Sequence, residues 1–377
     1  MLLELAGAAA LAIWIYLLLG RGGFWRMRDA APVGAVPAAA PAVAAVIPAR
    51  NEAPVVERAV GSLARQRYPG AFHIVLVDDH STDGTAGAAR AAAPAELLDV
   101  VRAGPVPAGW TGKLWAASEG IRAAQRFKAE YLLLTDADIV HSPENLSALV
   151  ARAASGGYDM VSFMATLECR TFAERALIPA FVFFFFMLYP PAWVGSARRG
   201  TAAAAGGCIL IRREMLERAG GIAASRGQVI DDCALARAVR RQGGHTWLGL
   251  SAATRSIRGY ATWGEIGRMI SRSAFAQLHH SVWLLIGTVL GLALTYMAPP
   301  VLAIAAPGSA AALGACGWLA MSVAYFPALR FYRRSLVWAP LLPAIAAFYL
   351  GATIHSAVCY WRGAGGVWKG RIQDGAR

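Results

Sequence analysis

The sequence predicts an α/β domain with a mostly parallel sheet, placed between hydrophobic segments long enough to cross a membrane. Hydrophobic residues make up 57% of the 377-residue chain, and the mean hydropathy is +0.45, which is high for a soluble protein. Strand-like runs alternate with Ala-rich helical stretches through the middle of the chain. Acidic pairs follow two of those runs, at Asp78-Asp79 and at Asp136 and Asp138.

The first element is an N-terminal anchor over residues 1–20. Leu5 to Gly20 is an uninterrupted apolar run, extended by Met1 to Leu3, and its length is close to the roughly 20 residues of a spanning helix. Three cations follow it: Arg21, Arg26 and Arg28. Because cations mark the cytoplasmic side, the N-terminus should face out. A signal peptide would carry its cations before the run, so the anchor is retained.

A linker rich in Ala and Pro is predicted over 21–42, before the α/β domain over 43–265. The runs "AVAAVIPA", "FHIVLVDD", "LLDVVRA" and "YLLLTDAD" are separated by patterns such as "ERAVGSLARQ". This alternation is typical of a mostly parallel sheet with helices on both faces.

The carboxyl third is hydrophobic again and predicts a membrane region over 282–361. Val282 to Ala306 and Ala310 to Phe326 form a hairpin of two spans, and "RFYRRS" after it belongs in the cytoplasm. Leu336 to Trp361 is a third segment. A full crossing there would place the basic tail, 362–377, outside, against the rule that cations mark the cytoplasmic side. Two alternatives therefore stay open for this segment, a spanning helix and a re-entrant one. Residues 266–281 form an amphipathic segment at the interface.

A further apolar segment, Ile178 to Val194, is predicted not to cross. It is short, aromatic and broken by Pro190-Pro191. A single crossing here would put Asp138 and Asp232 on opposite sides of the bilayer, although both are expected at one substrate. An interfacial or re-entrant helix in the membrane surface is therefore expected.

Composition excludes several classes of protein. The 36 Lys and Arg against 23 Asp and Glu give a net charge of +13, which suits anionic lipid headgroups. No recognition helix, zinc spacing or dense basic block indicates nucleic-acid binding. The five cysteines are scattered without a CxxC pair, which favours a reduced cytoplasmic domain over a disulfide framework or a zinc site.

The acidic pairs predict a ligand site at one edge of the sheet. Asp136 and Asp138 are two apart on a strand and should point to one face. There they suit a hard divalent cation that also holds phosphate oxygens. The alternative is a loop whose acids are solvated and cap the next helix. Asp78 and Asp79 end the preceding strand-like motif "VLVDDHSTDGT", and strands of a parallel sheet bind ligands beyond their carboxyl ends. One of the two would accept hydrogen bonds from a nucleobase or ribose.

Three further stretches contain candidate site residues. In "IPARNE", Pro48 and Ala49 would line it, while Arg50 and Glu52 either reach it or pair with each other. In "QVIDDCALARAVRRQGG", Asp231 can cap the helix that follows, which leaves Asp232 unexplained. Two further residues, Gly206 and Gly207 in "AAGGCILIRREML", either allow the backbone a close approach to a ligand or only start a strand beside a tight turn.

Five motifs carry a resemblance to a known family. "VIPARNE", "LVDDHSTDGT", "GWTGKLWA", "LLLTDADI" and "QVIDDCALARAVRRQGG" occur in an order and spacing similar to the family 2 inverting glycosyltransferases. The resemblance spans Val43 to Gly244. It implies a GT-A fold, with a Rossmann-like sheet, and a nucleotide-sugar donor. The layout, with an N-terminal anchor and "SRSAFAQLHHS" before the hydrophobic third, most resembles the bacterial hopene-associated glycosyltransferases. That implies a multi-pass protein of the inner membrane with a cytoplasmic catalytic domain.

The resemblance also implies roles for individual residues. Asp79, with Asp78, matches the donor nucleoside contact. Asp136 and Asp138 match the DxD motif that binds the diphosphate through Mg²⁺ or Mn²⁺. Lys113 matches a lysine near the donor, the alternative being an exposed lysine at a helix start. The catalytic residues are Asp231 and Asp232, and Asp232 aligns with the general base. Donor-side residues are expected to be Pro48, Ala49, Glu52, Asp78, Asp79, Lys113, Asp136, Asp138 and Arg272, with Gly206 and Gly207 on the acceptor side.

One departure from the family pattern narrows the function. Processive members carry QxxRW after the base, and this string is absent, which argues for a single transfer. Arg268 and Arg272 lie where this string would fall. Two roles stay open for them: contact with the diphosphate, or anchoring of an amphipathic helix at the lipid headgroups. The expected acceptor is a lipid hydroxyl such as a hopanoid. The alternatives are a polyprenyl-phosphate or glycerolipid acceptor, or a silent membrane scaffold that retains the fold.

Overall fold

The computed structural model describes residues 1–30, 34–368 and 371–374, and the chain divides into two compact units. One unit, called the sheet unit, comprises Asp29–Glu168 and Trp193–Arg258. The other, called the helical unit, comprises Met1–Arg28, Cys169–Ala192 and Gly259–Arg377.

The strands and helices follow one another along the chain as the alternating pattern predicts. The strands are β1 (Val43–Ala49), β2 (Phe72–Asp78), β3 (Leu98–Arg102), β4 (Tyr131–Thr135), β5 (Ile139–His141), β6 (Met160–Thr166), β7 (Cys208–Arg212), β8 (Thr246–Ser256), β9 (Gly365–Trp368) and β10 (Arg371–Asp374). The α-helices of the sheet unit are α2 (Ala53–Ala64), α3 (Thr85–Ala91), α4 (Gly112–Ala124), α5 (Asn145–Gly156), α8 (Arg213–Arg218) and α9 (Asp231–Arg241).

The helical unit holds the remaining α-helices. These are α1 (Leu2–Leu19), α6 (Phe172–Leu188), α10 (Trp263–Ser271), α11 (Ala274–Gln277), α12 (Val282–Leu292), α13 (Ala298–Ala305), α14 (Gly308–Phe331) and α15 (Leu342–Trp361). A short helix, α7 (Pro191–Val194), spans the boundary between the two units along the chain. A π-helical turn, Ala293–Met297, joins α12 to α13.

The main sheet has eight strands in the order β3-β2-β1-β4-β7-β6-β8-β5. Strands β3, β2, β1 and β4 are parallel, as are β6 and β8. Strand β7 is antiparallel to both β4 and β6, and β5 is antiparallel to β8. The sheet is therefore mixed, with the predicted parallel arrangement in its first half. The chain runs outward from β1 to β3 and then returns to place β4 on the other side of β1, which makes a switch point between β1 and β4.

Two apolar layers cover the two faces of the sheet, as predicted. Val43, Ala45 and Ile47 of β1 pack with residues of α2, α3 and α5. The alternate residues, Ala44 and Val46, pack with residues of α4 and α9 on the opposite face. The period of two in β1 therefore sets which helices lie on which face.

Five helices of the described residues are long and apolar enough to cross a membrane. They are Leu2–Leu19, Phe172–Val194, Val282–Ala305, Gly308–Phe331 and Leu336–Trp361. Four of them correspond to the segments predicted to lie in the membrane. Phe172–Val194 includes the segment predicted to lie in the membrane surface, and that it does not cross stays a prediction.

The start and end of α6 are both held by side chains of the helical unit. Thr171 and Glu174 form a capping box at its start, and the Glu174 carboxylate also accepts a hydrogen bond from Tyr260 N at 2.6 Å. Arg21 Nε donates to the Met187 carbonyl at 3.0 Å near its end, where a cation suits the helix dipole. In the predicted basic tail, Lys369 and Arg377 lie outside the described residues.

Candidate active site

An open cleft lies at the carboxyl ends of β1 and β4, at the switch point of the sheet. Ligands of open α/β sheets bind at such points. Its lining residues come from five elements and the loops beside them: Val46, Pro48, Lys113, Leu114, Ala117, Leu134, Thr135, Asp136, Gly206, Ile209, Ile222, Asp231, Asp232 and Leu235. Two of the three acidic motifs therefore meet in one cleft.

Asp136 and Asp138 lie beyond the end of β4 rather than on it. The strand ends at Thr135, and residues 137 and 138 form a turn, so strand alternation does not align the two side chains as expected. Asp136 faces the cleft, where Lys113 Nζ lies 2.8 Å from its Oδ1. Asp138 instead receives hydrogen bonds on Oδ2 from Arg258 Nε at 3.0 Å and Ser256 Oγ at 3.1 Å. Neither acid is a solvated helix cap.

Arg258 links two predicted site residues, Glu52 and Asp138, although no sequence motif indicated it as a site residue. Its Nη2 donates to both carboxylate oxygens of Glu52, at 2.7 and 2.6 Å, while its Nε donates to Asp138. The alternative pairing of Glu52 with Arg50 is therefore wrong. Arg258 lies just after β8, where Ile257 N donates to the Asp138 carbonyl at 2.9 Å, and this proximity is visible only in the fold. Burial, and next the charge of Asp136, raise the pKa of Asp138, and Arg258 opposes both effects.

Asp79 is buried beside the cleft and does not line it. Only 1% of its surface is exposed. Arg50 Nη1 lies 3.6 Å from Asp79 Oδ2 and donates to its carbonyl at 2.7 Å. Asp78 Oδ1 accepts from Ser81 N at 3.1 Å, which orders the loop after β2. Ala49 is paired with Asp78 across β1 and β2.

Lys113 lies in the first turn of α4, and it is not the exposed helix-start lysine of the alternative interpretation. Thr111 caps the helix by accepting a hydrogen bond from Leu114 N, so the helix start is fixed. Burial alone would lower the pKa of Lys113, but the neighbouring Asp136, and then Asp231, outweigh it and raise the pKa. A fixed ammonium group therefore faces the cleft.

The third acidic pair begins α9 and lines the same cleft. Asp232 Oδ1 accepts a hydrogen bond from Cys233 N at 2.7 Å, and Oδ2 accepts one from Gly206 N at 2.8 Å. Burial, and next the charge of Asp231, raise the pKa of Asp232 to about 6. A carboxylate with such a pKa is suited to take a proton near neutral pH.

The two glycines before β7 show a close approach of the backbone, but to protein atoms. A Cβ on Gly206 would lie 3.2 Å from Asp232 Oδ2, and one on Gly207 would lie 3.1 Å from Ile139 Cδ1. Gly206 lines the cleft, whereas Gly207 does not. Glycine at position 206 therefore lets the backbone N–H reach the carboxylate of Asp232.

The donor set at Asp136 and Asp138 fits a divalent cation held jointly with a phosphate ligand. Within the described residues no group of three or more His, Cys, Asp or Glu side chains could hold a metal ion. Mg²⁺ is usually bound by one or two carboxylates plus substrate phosphates and water. Since Arg258 and Ser256 occupy Oδ2 of Asp138, Oδ1 is the oxygen available to a cation.

Two more residues lie outside the cleft lining: His141, which the sequence did not indicate, and Arg272, which was predicted on the donor side. His141 is buried below the cleft and hydrogen-bonds to Thr135 at 3.0 Å; nothing in its sequence context distinguishes it from an ordinary core histidine. Arg272 follows α10 and belongs to the helical unit.

The mixed sheet with its switch point and acidic cleft defines the class, a GT-A-like nucleotide-diphospho-sugar transferase fold. The model of the family "Glycosyltransferase like family 2" matches residues 40–275, more than half of the chain. The chain therefore belongs to this family, and it is a glycosyltransferase. No curated protein matches the sequence.

One solved structure shows the same fold, and a more distant one also matches this chain. A mannosyltransferase from Pyrobaculum calidifontis, solved with GDP-Man and Mn²⁺, is 22% identical over 94% of this chain and 98% of its own, with a TM-score of 0.58. Glucosyl-3-phosphoglycerate synthase from Mycobacterium tuberculosis, solved with Mn²⁺ and UDP-glucose, is 17% identical over 63% of this chain and 78% of its own, with a TM-score of 0.43.

Proposed function

We propose that this glycosyltransferase is membrane-bound and transfers a sugar from a nucleoside-diphosphate donor to a lipid hydroxyl by a single inverting displacement. The observation that carries the proposal is the joint lining of one cleft by Lys113, Asp136 and Asp232. A group suited to the donor phosphates and a group suited to proton removal thus lie side by side.

Asp232 is the proposed general base. An acceptor hydroxyl is a weak nucleophile until a positioned group removes its proton, an effect of about 10²–10⁴ in rate. The two backbone N–H groups that bind its carboxylate fix its orientation and leave further lone pairs on each oxygen. Asp231, beside it, helps to keep its pKa raised, so that the base is stronger than an ordinary aspartate.

The opposite end of the reaction is the departing diphosphate. Asp136 and Asp138 would hold Mg²⁺ or Mn²⁺, which when bound offsets the charge that develops on the leaving group. Lys113 supplies a further positive charge there. The remaining donor contacts are proposed for Pro48, Ala49, Glu52, Asp78, Asp79 and Arg272. Since one base serves one displacement, the anomeric configuration of the sugar is inverted.

The lipid acceptor is proposed from the layout of the chain. Five described helices are long and apolar enough to cross a membrane, which supports a membrane-bound enzyme with a lipid-soluble acceptor. The Pyrobaculum mannosyltransferase holds GDP-Man and Mn²⁺, which supports a nucleotide-sugar donor and a metal here. The proposed acceptor is a hopanoid, and the proposed location is the bacterial inner membrane with a cytoplasmic active site.

The test is transfer of labelled sugar by the purified full-length protein with Mn²⁺. GDP- and UDP-sugars are each offered with a hopanoid alcohol, a polyprenyl phosphate or a diacylglycerol. Label in the hopanoid fraction, with an inverted anomeric centre, is the expected result. Transfer to either other lipid would replace the hopanoid assignment, and transfer to no lipid with any donor would overturn the proposal.

A further inference from the structure

A chain of buried hydrogen bonds runs beneath the cleft and reaches its lining at Thr135. Thr254 Oγ1 donates to Asn145 Oδ1 at 3.0 Å, and Asn145 Nδ2 lies 2.8 Å from His141 Nδ1. His141 Nε2 lies 3.0 Å from Thr135 Oγ1, which in turn lies 2.8 Å from the Gly207 carbonyl. All four side chains are buried, with at most 3% of their surface exposed.

The direction of each hydrogen bond in this chain is determined. Because Asn145 accepts from Thr254 with its oxygen, its Nδ2 must donate to His141 Nδ1. Burial lowers the pKa of His141 to about 4, so the ring is neutral and carries its single proton on Nε2. That N–H donates to Thr135 Oγ1, which leaves the Thr135 hydroxyl proton for the Gly207 carbonyl.

The receiving carbonyl belongs to the glycine pair that contacts Asp232. Gly206 N donates to Asp232 Oδ2 at 2.8 Å. The two glycines therefore accept a hydrogen bond from Thr135 at the Gly207 carbonyl and donate one to Asp232 from the Gly206 N–H. The packing leaves little room for movement, since a Cβ on Gly207 would lie 3.1 Å from Ile139. Thr135 also directly precedes Asp136 in the chain, so the same residue links the two functional ends of the cleft.

We propose that Thr135 and His141 are positioning residues that hold the Gly206-Gly207 segment, and through it the carboxylate of Asp232, in its working orientation. Neither acts on the substrate directly. The inference rests on the proposed role of Asp232 as general base and adds the residues that fix its geometry. A misplacement of about 1 Å originating away from the chemistry can cost on the order of 100-fold in rate.

The test compares Thr135→Val, which removes the hydroxyl and keeps the shape, with Thr135→Ser, which keeps the hydroxyl. Thr135→Val should lower kcat by about 10–100-fold without a matching change in donor affinity. It should also move the acid limb of kcat/KM to higher pH, because the Gly206 N–H lowers the pKa of Asp232. The charged groups that face Asp232, Asp231 and Lys113, are unchanged in both variants.

A second pair of variants covers the case in which Thr135→Val does not fold. His141→Gln retains an N–H that can donate to Thr135, whereas His141→Phe does not, so only the latter should reproduce the kcat loss and the shifted limb. Equal behaviour of Val and Ser at 135, or of Phe and Gln at 141, overturns the inference. An Asp232→Asn protein that keeps its turnover would overturn the proposed base itself, so the two failures are distinguishable.

Discussion

At the scale of single residues, the acids beside the cleft are paired with arginines from distant parts of the chain. Asp138 and Glu52 are joined by Arg258, which is 120 and 206 residues away from them. A motif of two acids at short spacing is visible in the sequence, whereas its counter-ion depends on which strands become neighbours. The same holds for Arg50, which pairs with Asp79 rather than with Glu52.

The raised pKa of Asp232 predicts the pH dependence of the reaction. Below about pH 6 the carboxylate becomes protonated and cannot accept the acceptor's proton, so kcat/KM should fall on the acid side with an apparent pKa near that value. Asp231→Asn removes the neighbouring charge that raises this pKa, and it should therefore move the acid limb to lower pH. Asp99→Asn, on β3, is the matched control and should leave the limb in place. A limb that moves upward in Asp231→Asn would contradict the assignment.

Replacing Arg258 is expected to lower the free energy of unfolding, and a second substitution is expected to restore part of it. Arg258→Gln leaves Glu52 and Asp138 as neighbouring buried carboxylates, and removing one partner of a buried ion pair costs about 3–5 kcal/mol. Because the Arg258 side chain is 36% exposed, a loss of about 2–3 kcal/mol is expected. Adding Glu52→Gln should recover part of this loss in denaturant unfolding. Arg126→Gln, from the exposed pair with Asp99, should cost less than about 1 kcal/mol.

At the scale of elements, the alternation of apolar runs and helical stretches predicted β1 to β4 and the helices on both faces. It did not predict that β7 enters antiparallel between β4 and β6, because strand orientation is not encoded in the apolar pattern of a fully buried strand. That insertion matters for the site, since it places Gly206 and Gly207 next to Thr135 at the end of β4.

Two Gly→Ala changes are expected to have opposite effects on stability, because Gly120 in α4 packs closely on the sheet whereas Gly87 in α3 has open space beside it. A Cβ on Gly120 would lie 2.5 Å from Val46 and 2.9 Å from Val77, so Gly120→Ala should push α4 outward and destabilise the fold by about 1–3 kcal/mol. Lys113, at the start of α4, should shift with it and weaken donor binding. Gly87→Ala in α3 meets no atom within 4 Å and should stabilise by roughly 0.5–1 kcal/mol. Unfolding midpoints in detergent check both, and equal midpoints would refute the packing argument.

At the scale of the whole molecule, the chain passes between two units several times. The sheet unit begins at Asp29, within the predicted linker, and leaves out 169–192, which lie between motifs of the predicted α/β domain. Local composition marks residues 169–192 as apolar, but their grouping with distant helices depends on tertiary packing. The domain boundaries and the membrane topology remain predictions of the sequence analysis.

The single-sided arrangement of the catalytic residues predicts a labelling pattern in intact cells. In a Cys316→Ser background, a cysteine in place of Ser196 should react with an impermeant maleimide only after the cells are permeabilised. A cysteine in place of Ser309, in the first turn of α14, should react in intact cells, since the turn between the two predicted spans is expected outside. Labelling of position 196 from outside would contradict the prediction that Ile178 to Val194 does not cross.

The most direct measurement of the central claim compares Asp232→Asn with the Asp99→Asn control in donor binding and turnover. We expect Asp232→Asn to bind the nucleotide sugar with Mn²⁺ almost as tightly as the unmodified protein while kcat falls by about 10²–10⁴-fold. Asp99→Asn should match the unmodified protein in both. Turnover by Asp232→Asn within a few-fold of the control would show that the general base lies elsewhere.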